Sequence, residues 1–528
     1  MLTRPDTQAL NLLLNILGSG TVSSGPVSIP SPPHLAVAAT FLVHPSTTTR
    51  AKTAEEKEAS SAALRLLRLV NTLVGPVTAR FDLAFAFTHF ETSRRGNRRR
   101  RDDAHPSDVE SSKDETKPLN LDLGQSEAVW SRAEDFWHAV GWAFNCSVLH
   151  PWRWERWRLW LEFMCEVLED DWNERKRQAE SDEQVLQQSL IFRYIEGESG
   201  GRGRNRRILR AIFADGGASS ANEFRQIFHN ELKQLKRNPE NVKKREAEVN
   251  IDEDEFGDYL TKDDEDEDDD SSNNHNNNQE PPDAMNKDST ERPRPKRSRR
   301  GKPARNTEKP TTPTTQTTSS SSSLSIHGGL SLLGGLTSLS LRQRLLHLLS
   351  RVSETLPGAF IPLEDLYHLF VENIRHLPLP IYQAFLSPST LPYFSAEAQT
   401  TLCECLLFRL RESSAPETDE EYLSQTKLEE CFLPYAASSA SVADNVRMSI
   451  ALETLLCLLA ESDMLRLTQD LRDAAQDGIL SRAERAQDEI RRNQASRQTE
   501  DIEWCWLIES GERILFMLNE LFPGLLSS

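Results

Sequence analysis

Along much of the chain, apolar residues recur at the three-to-four-residue spacing of a helix face. Leu10, Leu13, Leu14 and Leu17 form one such stripe, and Ala62, Leu64, Leu67, Val70 and Leu73 form a longer one. Ahead of the second, Thr53 and Glu56 stand at the spacing of a capping box, in which each side chain accepts a backbone N–H of the first turn. A Pro/Ser-rich loop, Gly25 to Pro33, separates these early helices. Val77 to Phe90 is apolar and aromatic without a clear period, so it fits a buried helix or a strand equally.

The densest pattern lies between Trp130 and Trp172, which holds eight of the ten tryptophans. Phe136, Trp137, Val140 and Phe144 share one helix face. Pro151 suits the opening turn of the next helix, where its missing N–H costs nothing. From there Trp157, Trp160, Leu161, Met164, Leu168 and Trp172 make one continuous stripe. Gln184 to Tyr194, Asn205 to Phe213 and Ala221 to Leu235 read as three further helices, divided by glycine-rich turns at 197–203 and 215–217.

The C-terminal part is again helical. It opens on Leu339, Leu341, Leu345, Leu346, Leu348 and Leu349 and continues through Leu363–Ile374 and Ala396–Leu410. Val442–Leu459 is apolar almost all round and is expected to be a central buried helix. Ser462–Arg497 is long and charged, and Ile502–Phe522 closes the chain. This half has no strand alternation or hairpin turn, and no fixed period that would mark a repeat family.

Between these regions, residues 238–323 lack the apolar side chains to offset an ordering cost of about 1–2 kcal/mol per residue, and disorder is expected there. The predicted fold is all-α: two irregular helical modules, bundle or solenoid-like, joined by a long disordered charged linker. The expected boundaries are 1–93 for the N-terminal helices and 94–122 for a polar loop. A Trp-rich region at 123–237, packed with 1–93, precedes the linker at 238–323, and the C-terminal helical domain follows at 324–528.

Composition sharpens the linker. The net charge is −19, yet residues 252–270 hold thirteen acids and one Lys, whereas 292–305 hold eight Lys or Arg and no acid. Arg292, Arg294, Lys296, Arg297, Arg299, Arg300, Lys302 and Arg305, on a proline-extended backbone, resemble a nuclear import signal and imply an import receptor as partner. The acidic run suits histones or other basic proteins, or a plain solvating spacer. Seven cysteines, mostly within apolar helical patterns, fit buried free thiols in a reducing compartment. Asn145-Cys146-Ser147 has the form of a glycosylation site but sits in an apolar segment. No apolar run is long enough to span a bilayer, so no membrane is expected.

Candidate chemistry is sparse. No nucleotide-binding, hydrolase or metalloprotease motif occurs, and no Cys/His set has zinc spacing, so no enzyme activity, cofactor or metal is expected. Tryptophan at this density serves first as core. Trp152 and Trp154 fall off the main stripe, and with Arg153 and Arg156 they are the candidate partner anchor. Arg98, Arg99, Arg100 and Arg101, together with Arg202, Arg204, Arg206 and Arg207 in a glycine-rich loop and the helix after it, are the candidate nucleic-acid contacts. The resulting expectation is a nuclear scaffold or adaptor of a chromatin- or nucleic-acid-associated complex, binding other nuclear proteins. Direct RNA or DNA binding is the alternative, and an enzyme without a recognisable motif is the third reading.

Overall fold

The computed structural model of the chain describes residues 5–22, 28–88, 119, 121–179, 182–197, 203–233, 333–390, 392–417, 420, 422–492 and 497–521. The described residues are all-α: no strand occurs among them, and an isolated bridge between Arg411 and Ala437 is the nearest approach to one. Helical regions flank residues 234–332 on both sides, as the pattern predicts, and both belong to one compact unit. The linker and most of the polar loop at 94–122 lie outside the described residues.

The N-terminal helices are α1 (Pro5–Val22), α2 (Pro32–Val43), α3 (Ala54–Leu73) and the short α4 (Phe81–Ala84). α3 begins with the expected capping box of Thr53 and Glu56. Then follow α5 (Val129–Arg132), α6 (Phe136–Leu149) and α7 (Pro151–Gln178). At 28 residues, α7 runs about 42 Å and is the spine of this half. Its stripe Trp157, Trp160, Leu161, Met164, Leu168 and Trp172 is completely buried. Burying rings of ~150–250 Å² each makes this seam the largest apolar contribution in the half.

Two further faces of α7 are polar and tertiary. Glu166 takes a fork from Arg68 at 2.6 and 3.0 Å, Asp170 accepts from Asn71 at 2.6 Å, and Glu174 faces the Val77 amide, all from α3 or the turn after it. The sequence suggests simple one-turn charge pairing for these carboxylates; among those at 166–171, only Asp171, 3.0 Å from Arg175, makes it. Asp171 also accepts the Leu190 amide at 2.7 Å.

Three segments differ from their expected form. The described part of Val77–Phe90, residues 77–88, is neither one helix nor a strand: Arg80, in the left-handed region at φ 54°, starts α4, after which residues 86–88 are irregular. Gln184–Tyr194 divides into α8 (Glu183–Gln187) and α9 (Leu190–Glu196), because Ser189 caps a new helix by accepting from Phe192 N. After α10 (Arg204–Ile212), the expected helix Ala221–Leu235 is, over its described residues to 233, the end of α11 (Ala218–Glu223) and a turn-rich stretch. The cause is packing. Phe224 lies so close to Gly141 that a Cβ there would be 2.3 Å from its ring, and Asn145 donates to the carbonyls of Ser220 and Phe224.

The C-terminal helices are α12 (Gly335–Thr355), α13 (Leu363–Ile374), α14 (Leu379–Leu386), α15 (Ala396–Leu410), α16 (Gln425–Cys431), α17 (Val442–Glu461), α18 (Gln469–Arg492) and α19 (Arg497–Phe516). α17 is the central helix expected from its composition, packed by α14, α15, α18 and α19.

The two halves meet where α12 lies on α6, α7 and α10. Arg342, fully buried, donates to the carbonyl oxygens of Ile212 and Ala214 and sits 4.1 Å from the Phe144 ring centroid. These are carbonyls left unpaired where α10 ends, so the guanidinium serves as a C-terminal cap. Arg344 forks onto Glu169 at 3.0 and 2.7 Å, and Arg351 donates to Asn173 at 2.7 Å. No helix among the described residues is long and apolar enough to cross a membrane.

Candidate partner-binding site

The expected anchor lies in the first turn of α7, and the structure divides its members. Arg153 is fully buried. Its Nε donates to Glu231 Oε1 at 2.9 Å, Nη1 to the hydroxyls of Thr48 and Thr49 at 3.1 and 3.2 Å, and Nη2 to the Val43 carbonyl at 2.6 Å. Glu231, equally buried, also accepts from Trp157 Nε1 at 2.7 Å and from the Phe228 amide at 3.2 Å. This node ties α2, the turn after it, α7 and the 224–233 stretch together. Trp154 is 8 % exposed and packs near Phe144. Arg153 and Trp154 are therefore interior residues, a correction to the expected contact surface. Trp154 stands three residues before Trp157 and seven before Leu161, so it extends the buried stripe by one turn and does not leave it as expected.

Trp152 and Arg156 remain half-exposed, one helical turn apart, beside exposed Pro151 and Leu149. They are the solvent-accessible members of the candidate anchor.

The arginine candidates divide in the same way. Arg207 is buried, paired with Asp135 at 2.6 Å and Glu134 at 3.4 Å, and is a structural residue and not a free phosphate contact. Arg206 is exposed and reaches Glu372 of α13 at 3.3 Å. Arg204 bonds to Asn205 and carries no carboxylate ion pair among the described residues. Arg98, Arg99, Arg100, Arg101 and Arg202 lie outside the described residues, as do the import-signal residues Arg292, Arg294, Lys296, Arg297, Arg299, Arg300, Lys302 and Arg305.

The buried histidines and cysteines are held in their neutral forms. His138 accepts the Glu134 amide at Nδ1 and faces the Arg225 carbonyl with Nε2, which requires the neutral ring. Burial lowers its pKa against the pull of Glu134 and Asp135. Burial likewise lowers His44, His150, His347 and His376. The Cys165 thiol is pushed up to about 12 by burial, which makes it inert packing. The described cysteines are free, and Asn145 is buried and bonded to Gly216 N and Ser220, so it is no accessible glycan acceptor. No group of metal-ligating side chains occurs among the described residues.

Two clefts stand out. One, of about 460 Å³, is apolar and lies between Pro32, Ala36, Leu83, Ala128 and Trp130. The other, of about 530 Å³, lies on the seam between the halves and is polar: Arg344, His347 and Arg351 of α12 face Glu169 and Asn173 of α7, with Tyr393 at its edge. Sequence reasoning passed over this second site. Its signal is the spacing of Arg344, His347 and Arg351, which places three nitrogen bases on one helix face inside an otherwise leucine-rich segment.

Comparison of the chain with known protein families, with curated proteins and with solved structures gave no match.

Proposed function

We propose that the protein is a non-enzymatic scaffold or adaptor of a nuclear, chromatin- or nucleic-acid-associated complex. The single observation that carries this reading is architectural. Helices on both sides of residues 236–320 belong to one compact body, so the acidic run at 252–270 and the basic block at 292–305 are carried as an insertion in that body. A fixed helical surface with a charged insertion suits binding of folded partners by the body and electrostatic addressing by the insertion. Trp152 and Arg156 are the anchor on the body, since a half-exposed Trp and Arg side by side are the residue types that dominate interface energetics.

The test has two arms. Replacing the eight basic residues of 292–305 by Ala should abolish nuclear accumulation of the fluorescently tagged chain. Trp152→Ala/Arg156→Ala should lose a defined set of nuclease-resistant co-purifying nuclear proteins while keeping the wild-type melting temperature. Unchanged nuclear accumulation, or an unchanged set of partners, would remove the corresponding half of the reading. Complete loss of the co-purifying proteins on nuclease treatment would favour direct nucleic-acid binding instead.

A further inference from the structure

We propose that the seam cleft between α7, α12 and the Pro392–Tyr393 turn binds an acidic peptide segment of a partner protein through its carboxylate or phosphate groups. This rests on the scaffold reading and gives one partner a chemistry.

The first ground is the set of uncommitted hydrogen-bond donors that the cleft collects. Arg344 spends Nε and Nη2 on the two oxygens of Glu169, which leaves Nη1 unused among the described residues. Arg351 is held by the neutral amide of Asn173, and no carboxylate pairs with it among the described residues. The His347 Nδ1 is buried without a partner among the described residues and the ring lies edge-on to Phe394, so Nε2 is the nitrogen left to meet a ligand. Tyr393 is 38 % exposed, with the Arg344 guanidinium 5.9 Å from its ring centroid. Donors outnumber acceptors here, and an anion is the ligand that satisfies them.

The second ground is charge and shape. Arg344 and Arg351 against Glu169 leave the lining one unit positive, and a protonated His347 adds a second. Glu354, further along α12, is exposed and outside the lining. That balance suits a short acidic segment better than the dense charge of a nucleic-acid backbone. At about 530 Å³ the space exceeds one free ion, and Leu348, Pro392 and Tyr393 give a peptide's aliphatic carbons something to lie against.

A pH dependence follows. Burial and the neighbouring Arg351 keep His347 neutral at physiological pH. The charged groups facing it are Arg344, Arg351 and Glu354 on its own helix and Glu169 on α7, with Asn173 and Tyr393 completing the wall. A bound anion favours the protonated ring, so affinity should rise as the pH falls from about 7.5 to about 6.

The experiment is fluorescence anisotropy on the full-length chain with a short labelled Glu-Ser peptide, its phosphoserine counterpart, a Lys-Ser control and a single-stranded oligonucleotide of equal charge. Both anionic peptides should bind and the Lys-Ser control should not. A preference for the phosphoserine form would identify phosphate as the source, and equal affinity would identify plain carboxylates. Arg351→Gln should weaken both by about tenfold, the scale of one charge-assisted hydrogen bond. Tyr393→Ala should weaken both by a smaller factor, and both variants should melt as wild type does. Absence of peptide binding at low salt would overturn the proposal, as would binding indifferent to both substitutions or tighter binding of the oligonucleotide through the same residues. The Trp152/Arg156 result is independent of all these outcomes, so the two readings fail separately.

Discussion

In the N-terminal half, Arg153 is fully buried and faces an equally buried carboxylate, Glu231. In the C-terminal half, Arg482 is as deeply buried, yet it donates to the carbonyls of Leu433 and Tyr435 and has no carboxylate partner among the described residues. Its Nε and Nη2 have no partner among the described residues. Arg342 at the seam follows the second pattern, capping carbonyls at and just after the end of α10 as Arg482 caps those beyond α16. Burial draws both capping guanidiniums well below the usual arginine range. Arg153 is thus neutralised by an anion, whereas Arg482 and Arg342 are held by carbonyl dipoles at helix ends. A paired ion is costly to leave alone, whereas a capped one has less to lose.

The largest expected effect breaks the pair. Glu231→Ala strands Arg153 in the core together with Trp157 Nε1 and the Phe228 amide, and should cost about 3–5 kcal/mol. The double replacement Arg153→Met/Glu231→Leu should recover most of that loss, because the desolvation penalty of both ions vanishes with them. Denaturant midpoints of the two variants decide the matter: equal losses would mean that the node is held by packing and not by charge.

Arg482→Met sharpens the other side of the comparison. It removes a buried charge that already lacks two partners but uncaps two carbonyls, so the loss should stay below about 2 kcal/mol. A loss matching that of Glu231→Ala would show that carbonyl capping is as strong as an ion pair in this setting. Substitution must avoid the neighbouring Gly478, where a Cβ would lie 1.7 Å from the Leu433 oxygen, the same carbonyl that Arg482 caps.

Acid should separate the halves next. His44, His138 and His150 in the N-terminal half, and His347 and His376 in the C-terminal half, all have lowered pKa values in the folded chain. Below about pH 6.5 the unfolded chain therefore binds more protons than the folded one, and stability falls as pH drops. His138 is the most demanding of the five, since a protonated Nδ1 cannot accept the Glu134 amide. His138→Gln should flatten the acid limb of a melting-temperature profile between about pH 6.5 and 5, with the N-terminal tryptophans reporting it by fluorescence. A profile as steep as that of the wild type would place the acid sensitivity elsewhere.

How much of this was legible in the sequence depends on how local the cause is. The α7 stripe, the Thr53–Glu56 capping box and the buried α17 follow from spacing within one helix, and all are present. The missed features depend on residues far apart. Arg153 lies off the stripe yet is buried, because Glu231, Thr48 and the Val43 carbonyl, all distant in sequence, close around it. Ala221–Leu235 carries a helical pattern, but its described part is helical only to Glu223, given the demands of Gly141 and Asn145 on Phe224 and of Arg153 on Glu231. The seam cleft joins residues some 175 positions apart, as in Arg344 with Glu169, and no window of sequence contains both.

That same pair gives the smallest expected effect and the most telling one about the join between the halves. Arg344 and Glu169 are partly exposed, at 15 % and 32 % of their side chains, so in the intact chain Arg344→Gln should cost no more than about 1 kcal/mol. Burial works against the charge of Arg344, but the Glu169 fork outweighs it and raises its pKa further. In the intact chain the covalent connection holds the seam at a high effective concentration, on the order of millimolar, and hides the loss. Cleavage at a protease site engineered into residues 236–320 removes that help and makes the seam an intermolecular contact. The wild-type halves, joined by Arg342, Arg344 and Arg351 and by the packing of α12 on α6, α7 and α10, should still co-elute on size exclusion. The nicked Arg344→Gln body should separate at several-fold higher concentration, since ~1 kcal/mol is about a fivefold change in affinity. Separation of the nicked wild type at once would mean that the halves need the covalent link, and the single helical body would have to be read as two bodies held by a tether.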